Sequence, residues 1–353
     1  MPYYLFPILA FFTFLMESQE RKNDAYKFLF YFTLIAISAV ACFRGVGMGT
    51  DYWQYRGYFV TGWISGYDVG FNIITWSLRA LGSSVEVCFS FFFLSSLFLK
   101  IYVFKRMSYS LILSLMTSFG FWFLVYDMNG IRQGLSISVL SLAIYAAYKE
   151  NLKNFVIFTI IASSIHFASI IFLPFYFILK LKIPKRMMLI LIAIVFLLTL
   201  SGISDFLFSI LSSGSGDNVF AEKTDAYSKN DAFNADALFS FGSIHRLIIF
   251  AVTLFTVHKI PADKRMKDLF MVSAFLSIVM YLLFSKIELI ATRTSLPFRF
   301  VECIFFSYLP FVSKHKIGQI IIALVLLAYI LLQVFLIVSV PDGNLVPYRS
   351  IFD

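Results

Sequence analysis

The chain has 353 residues, 60% of them hydrophobic and only 14% charged, with a formal charge of +9 and a mean hydropathy of +0.84. Soluble domains carry closer to a quarter charged residues, so this composition excludes an ordinary water-soluble protein. The basic excess matches lysines in cytoplasmic loops of a membrane protein and calls for no nucleic acid.

Apolar runs of bilayer-crossing length recur along the chain and predict about 11 spans. They fall at 2–16, 27–43, 85–104, 109–126, 131–148, 155–179, 187–211, 244–257, 268–285, 296–313 and 317–340. The expected fold is an all-α polytopic integral membrane protein, one transmembrane domain over 1–353. The opening run lacks a basic flank and a small-residue cleavage site and reads as a retained helix. Within the loop 44–84, the stretch 71–82 is short and mixed in polarity, which suits an interfacial helix. Residues 212–243, rich in Ser, Asp, Asn and Ala, form the only long polar loop.

Lysine and arginine in short loops set orientation. Segments 21–27, 100–106, 149–153, 180–186, 259–267 and 314–316 hold most of the basic residues. Placing them in the cytoplasm puts 44–84, 127–132, 212–243, 286–295 and the C-terminal residues on the outer face. Segments 149–153 and 180–186 are both basic, yet one apolar run separates them. A broken or re-entrant segment near His166 keeps both on one side, and such breaks are tolerated where they line a polar cavity. The basic residues outside the cytoplasmic segments are eight arginines gathered toward the outer face, Arg44, Arg56, Arg79, Arg132, Arg246, Arg293, Arg299 and Arg349, with only three lysines. Lysine satisfies topology equally well, whereas a guanidinium fork grips phosphate or carboxylate. The bias points to an anion such as a diphosphate; the alternative is arginines snorkelling from helix ends.

Five stretches carry candidate chemistry. In "RGVGMGTDYWQY" (44–55), three glycines allow close backbone approach, Arg44 suits an anion and Asp51 suits a base or a hydroxyl partner. Tyr52, Trp53 and Tyr55 are either sugar-stacking rings or an interfacial aromatic belt. In "YDMNGIRQGLSIS" (126–138), Arg132 and Gln133 open a helix, where free N–H groups and a guanidinium both favour an anion. His166, within "IASSIHFASIIFLP" (161–174), is either a general base or a satisfied buried imidazole. Arg293 and Arg299 flank a predicted helix start, with Pro297 in its first turn. The tail "VPDGNLVPYRSIFD" (340–353) is expected to fold back onto the outer face. Cys42, Cys88 and Cys303 lie in apolar runs without metal spacing. No Walker loop, dinucleotide fingerprint, zincin or nucleophile-elbow motif occurs, so no nucleotide cofactor is expected.

Taken in order, these stretches resemble one family. "RGVGMGTDYWQY", "NGIRQGLSIS", "SSIHFASIIFLPFYFI", "TRTSLPFRFVECIFFSYLPF" and "LVPYRSIF" are similar to motifs of the EpsG family, polymerases of the Wzy type that act on bacterial surface polysaccharide such as O-antigen. "GYDVGF" (66–71) resembles a further motif of that family, Glu/Asp-Pro-Gly-Phe, without its proline. Pro297-Phe298 stands where Tyr-Phe is usual, which puts a tyrosine role there in doubt.

The resemblance implies a glycosyltransferase at the periplasmic face of the inner membrane, with GT-C-like architecture. It would join undecaprenyl-diphosphate-linked oligosaccharide donor and acceptor units, in membrane lipid and with a chain-length regulator protein as a further partner. On that reading His166 is the first choice of base and Asp51 the second. Arg132 and Arg293, supported by Arg44 and Arg299, hold the diphosphate. Tyr52, Trp53, Tyr55 and Gln133 hold glycan, and Arg246, Tyr348 and Arg349 give support. The acids are scattered, so no metal and no other cofactor is expected. A secondary transporter or flippase for lipid-linked sugars, or a membrane acyltransferase, would use a similar set.

Overall fold

A computed structural model describes residues 2–17, 24–62, 68–212, 237–340 and 344–353. Most of the polar loop 212–243, together with residues 21–23 of the first basic segment, lies outside the described residues. Among the described residues the secondary structure is helical, with one isolated antiparallel bridge between Arg44 and Ser350. Among the described residues, four helices are long and apolar enough to cross a membrane, Asp24–Cys42, Val85–Met107, Lys264–Leu283 and Lys316–Val338. Five shorter apolar helices accompany them.

The described chain forms two compact units, the first of Met1–Phe167 and Cys303–Asp353, the second of Ala168–Glu302. The first unit holds α1 (Pro2–Glu17), α2 (Asp24–Cys42), α3 (Tyr52–Thr61), α4 (Val69–Ala80), α5 (Val85–Met107) and α6 (Leu111–Ser118). A π-helical stretch, Phe119–Asp127, continues α6 and is followed by α7 (Ile131–Tyr148) and α8 (Leu152–Ile165). Side chains stop the frayed ends: Ser84, Ser110 and Asn151 accept the N–H groups of Val87, Leu113 and Asn154 at the starts of α5, α6 and α8. Glu86 in the first turn of α5 and Lys105 with Arg106 in its last turn oppose the helix dipole.

Helix α7 owes its close packing on α5 and α8 to small residues. Ser136, Ser138 and Ser141 are all fully buried. Their hydroxyls bond to main-chain carbonyls, Ser136 reaching Ala162 of α8 at 2.7 Å. Beneath the start of α7 lies a buried ion pair between Lys100 of α5 and Asp127 at the end of the π-helix. Ser96 donates to the same carboxylate at 2.6 Å and neighbours the Ser138 hydroxyl at 2.6 Å. Lys100 therefore does not belong with the basic loop 100–106: its charge turns inward, because the Asp127 carboxylate is the partner within reach.

The second unit contains α9 (Phe175–Lys180), α10 (Lys185–Leu200), α11 (Ile203–Ser212), α12 (Phe241–Thr256), α13 (Lys264–Leu283) and α14 (Glu288–Arg299). Three expected spans are broken. Run 187–211 splits at Gly202, whose φ of +94° lies in a region that side-chain-bearing residues avoid. Run 155–179 splits at His166, which is extended (φ −151°, ψ 110°) and is followed by a 3-10 turn, Phe167–Phe172. Run 296–313 is divided among the end of α14, α15 (Val301–Phe306) and a 3-10 turn. Helix α14 also starts at Glu288, so Pro297 sits near its end rather than in its first turn. Lacking an N–H, Pro297 cannot bond to the Arg293 carbonyl one turn back, and the helix stops two residues later. The chain closes with α16 (Lys316–Val338), which packs on α1 and the π-helix in the first unit.

Candidate active site

The start of α7 builds the site. Gly130 precedes it, and Arg132 and Gln133 occupy its first turn, where main-chain N–H groups lack helical acceptors. Gln133 projects to the break after α8: its Nε2 lies 2.9 Å from His166 Nε2. Arg132 Nη1 donates to Asp68 Oδ2 at 3.1 Å. His166 Nδ1 lies 3.8 Å from that same oxygen. Asp68 immediately precedes α4, and that helix is held close because Gly70 abuts the main chain of Ser164 on α8.

These side chains are partly screened from water, with Asp68 19% and His166 and Arg132 each 13% exposed. Burial favours the neutral acid at Asp68. The nearby His166 ring, the Arg132 charge and the Phe167 main-chain N–H outweigh burial and hold the carboxyl below the usual aspartate range. The cluster thus brings a cation, an acid held ionised and an imidazole together, Asp68 bonded to Arg132 and within 3.8 Å of His166. Its basic groups at a helix start suit an anion. Among the described residues, no three His, Cys, Asp or Glu side chains gather where they could hold a metal.

The 44–51 segment is tied to the same region through the residues ahead of α7. Asn129 Oδ1 accepts the Asp51 N–H at 2.9 Å, and its Nδ2 donates to Thr50 at 2.7 Å. Gly49 turns at φ +94°, and a β-carbon there would lie 2.9 Å from Asn129 Oδ1. Arg44, expected at a diphosphate, is 5% exposed, donates to the Met128 carbonyl and lies 4.4 Å over the Phe89 ring. Burial pulls its guanidinium down to about 10, still protonated at neutral pH. Its geometry is that of an internal clamp.

Tyr52 and Tyr55 are buried as well, their rings packed on Phe89 and Phe71. Neither ring face is open to a sugar. Trp53, 59% exposed, presents its indole to the outside. The tail folds back onto residues 40–49 and Tyr3. Gly45 N–H bonds to the Arg349 carbonyl at 2.8 Å, the Tyr348 hydroxyl to Val40 O at 3.1 Å, and the Tyr3 hydroxyl to Leu345 O at 3.0 Å.

Arg246, Arg293 and Arg299 belong to the second unit. Arg246 forks onto Ser295 Oγ through Nε and Nη2 at 3.2 and 2.7 Å, and lies 3.8 Å over Tyr281. Arg299 pairs with Glu302 at 3.3 Å, both about 8% exposed. Arg293 is half-buried on α14.

Sequence reasoning brought Arg132, Gln133 and His166 forward and missed Asp68. The signal available was the "GYDVGF" stretch, whose aspartate stands where the similar family motif has its acid.

The apolar helices are those of a membrane protein, and at the start of α7 they bring Arg132, Asp68, Gln133 and His166 together. The EpsG family profile matches residues 4–350, and the chain belongs to the EpsG family, which points to polysaccharide polymerisation in the broad sense. No curated protein and no solved structure matches the chain.

Proposed function

We propose that this protein is a glycosyltransferase that joins undecaprenyl-diphosphate-linked oligosaccharide units into a surface polysaccharide at the periplasmic face of the bacterial inner membrane. The observation that carries the reading is the meeting of Arg132, in the first turn of α7, with His166 at the break after α8. Family membership supplies the polymer.

In the reaction, an acceptor sugar hydroxyl attacks the anomeric carbon of the donor chain. The new C–O bond forms as the bond from that carbon to the diphosphate oxygen breaks, and the electron pair leaves on the diphosphate. His166 Nε2 takes the hydroxyl proton once the Gln133 amide has turned aside, and Asp51 is the alternative base. Charge grows on the departing diphosphate, so a guanidinium already in place stabilises the transition state more than the ground state. Arg132, in the first turn of α7, is assigned this role. Arg44, Tyr52 and Tyr55 shape the loop, and Trp53 offers the glycan an open ring face. The eleven-segment topology and a GT-C-like arrangement accompany this assignment.

The test is reconstitution of the purified protein in lipid with synthetic polyprenyl-diphosphate-linked units. A ladder of products without nucleotide or acyl donor is expected. Transport of intact units without a ladder, or transfer of an acyl group, would replace the proposal.

A further inference from the structure

Asp68 is an acid at the centre of a site built for an anion. One of its oxygens, Oδ2, is shared by two neighbours, Arg132 Nη1 at 3.1 Å and His166 Nδ1 at 3.8 Å. The shorter contact belongs to the arginine. A diphosphate arriving at the start of α7 needs that guanidinium and repels the carboxylate beside it. The backbone of Asp68 has little room to retreat, because Gly70 already abuts the Ser164 main chain on α8. The carboxylate is left with its other neighbour, the His166 ring, a short side-chain rotation away.

Gln133 gives that movement a chemical consequence. Its Nε2 faces His166 Nε2 at 2.9 Å. An amide N–H donated there leaves the ring proton on Nδ1, the nitrogen that faces Asp68. A carboxylate accepting from Nδ1–H fixes the tautomer and stabilises the imidazolium formed when Nε2 takes a proton.

We propose that Asp68 acts as an internal stand-in for the substrate's diphosphate. It occupies Arg132 while the site is empty, and passes to His166 when the diphosphate displaces it, so that substrate binding orients the base. The proposal rests on the diphosphate reading above. Asp68 is a positioning residue, since it acts through His166 and touches no reacting atom.

The experiment uses the full-length protein in nanodiscs, with farnesyl diphosphate as the binding probe and ladder formation as the readout of turnover. Asp68→Asn removes the competing charge. A site whose competent form is only fractionally populated binds more weakly by that fraction, so the variant should bind the probe at least about threefold more tightly. Its turnover should nonetheless fall about tenfold or more, since the base loses its orienting carboxylate. Asp68→Glu, which keeps the carboxylate, should restore most of the turnover. A purely structural role for Asp68 would weaken binding and turnover together.

Equal or weaker probe binding by Asp68→Asn, or turnover at the wild-type rate, overturns the proposal while leaving the polymerase reading intact. Should Asp68→Asn fail to fold, Asp68→Ser is read by the same criteria. Inorganic diphosphate serves as the headgroup control: tightening for it but not for farnesyl diphosphate would overturn the lipid-linked source. A wild-type protein that neither binds the probe nor forms a ladder removes the underlying reading, and this proposal with it.

Discussion

Gly70 touches the Ser164 main chain. A β-carbon on Gly70 would lie 2.5 Å from Ser164 Oγ and 2.9 Å from the Ser164 carbonyl carbon and oxygen. Helix α4 can approach α8 this closely only where no side chain intervenes, and Asp68 reaches Arg132 and His166 because of that approach.

Gly70→Ala should therefore displace Asp68 without unfolding the bundle. Misplacing a positioned group by about 1 Å can cost a hundredfold in rate, so ladder formation should fall by about one to two orders of magnitude. Gly57→Ala on α3, where a β-carbon meets nothing within 4 Å, is the control and should polymerise normally. Equal activity in both variants, measured at matched thermal stability, would show that the contact does not position the acid.

Breaking the pair under α7 should affect stability before chemistry. Lys100 and Asp127 are only 3% and 5% exposed in their side chains. Removing one partner of a buried pair leaves an uncompensated charge and costs about 3–5 kcal/mol. Lys100→Met and Asp127→Leu should each sharply lower the thermal unfolding temperature in detergent, and the double variant should recover much of the loss. Losses that simply add in the double variant would contradict the pairing.

The acid limb of stability should carry a signature of Asp68. Its carboxyl is held below the usual aspartate range in the folded protein, so it ionises more readily folded than unfolded. That contribution is complete above the unfolded-state value of about 4 and disappears as pH falls through the lower, folded value. Wild type should therefore exceed Asp68→Asn in stability near neutral pH, and the two unfolding curves should converge on acidification. A gap that widens as pH falls would reverse the sign of the argument.

Substitutions of the proposed catalytic groups should separate charge from geometry. Arg132→Ala should leave single, unextended units, while Arg132→Lys should recover only part of the chain growth, because an ammonium lacks the planar fork. His166→Ala should slow chain growth by about a hundredfold or more. Near-normal ladders from His166→Ala would move the base role to Asp51.

What was legible in the sequence follows from how local each signal is. The helices are announced by apolar runs, and the start of α7 by a glycine followed by Arg132 and Gln133. Asp68 was marked only by the weak "GYDVGF" resemblance, because its arginine partner lies 64 residues further on. Lys100 reads as a loop lysine from its neighbours Lys105 and Arg106; only Asp127, 27 residues away, shows that it turns inward. The break near His166 is legible from the basic segments on either side of its run, whereas the break at Gly202, a left-handed turn at φ +94°, falls within a single expected span. Tyr52 and Tyr55 look like surface aromatics in a polar loop, until α5 supplies Phe89 to cover them.

The strap between the tail and residues 43–49 bears on the order in which the protein matures. Val40 and Tyr348 stand 308 residues apart in sequence, and Tyr3 and Leu345 stand 342 apart. Contacts so distant must wait for nearly all of the intervening chain to leave the ribosome. Until residues 344–353 emerge, Gly45 has no Arg349 carbonyl to bond, and the Arg44 loop lacks one of its two anchors. A stalled chain or an insertion between α16 and Leu345 would thus carry a finished α7 and α8 beside an unfinished loop. Completion of this loop waits for residues 344–353.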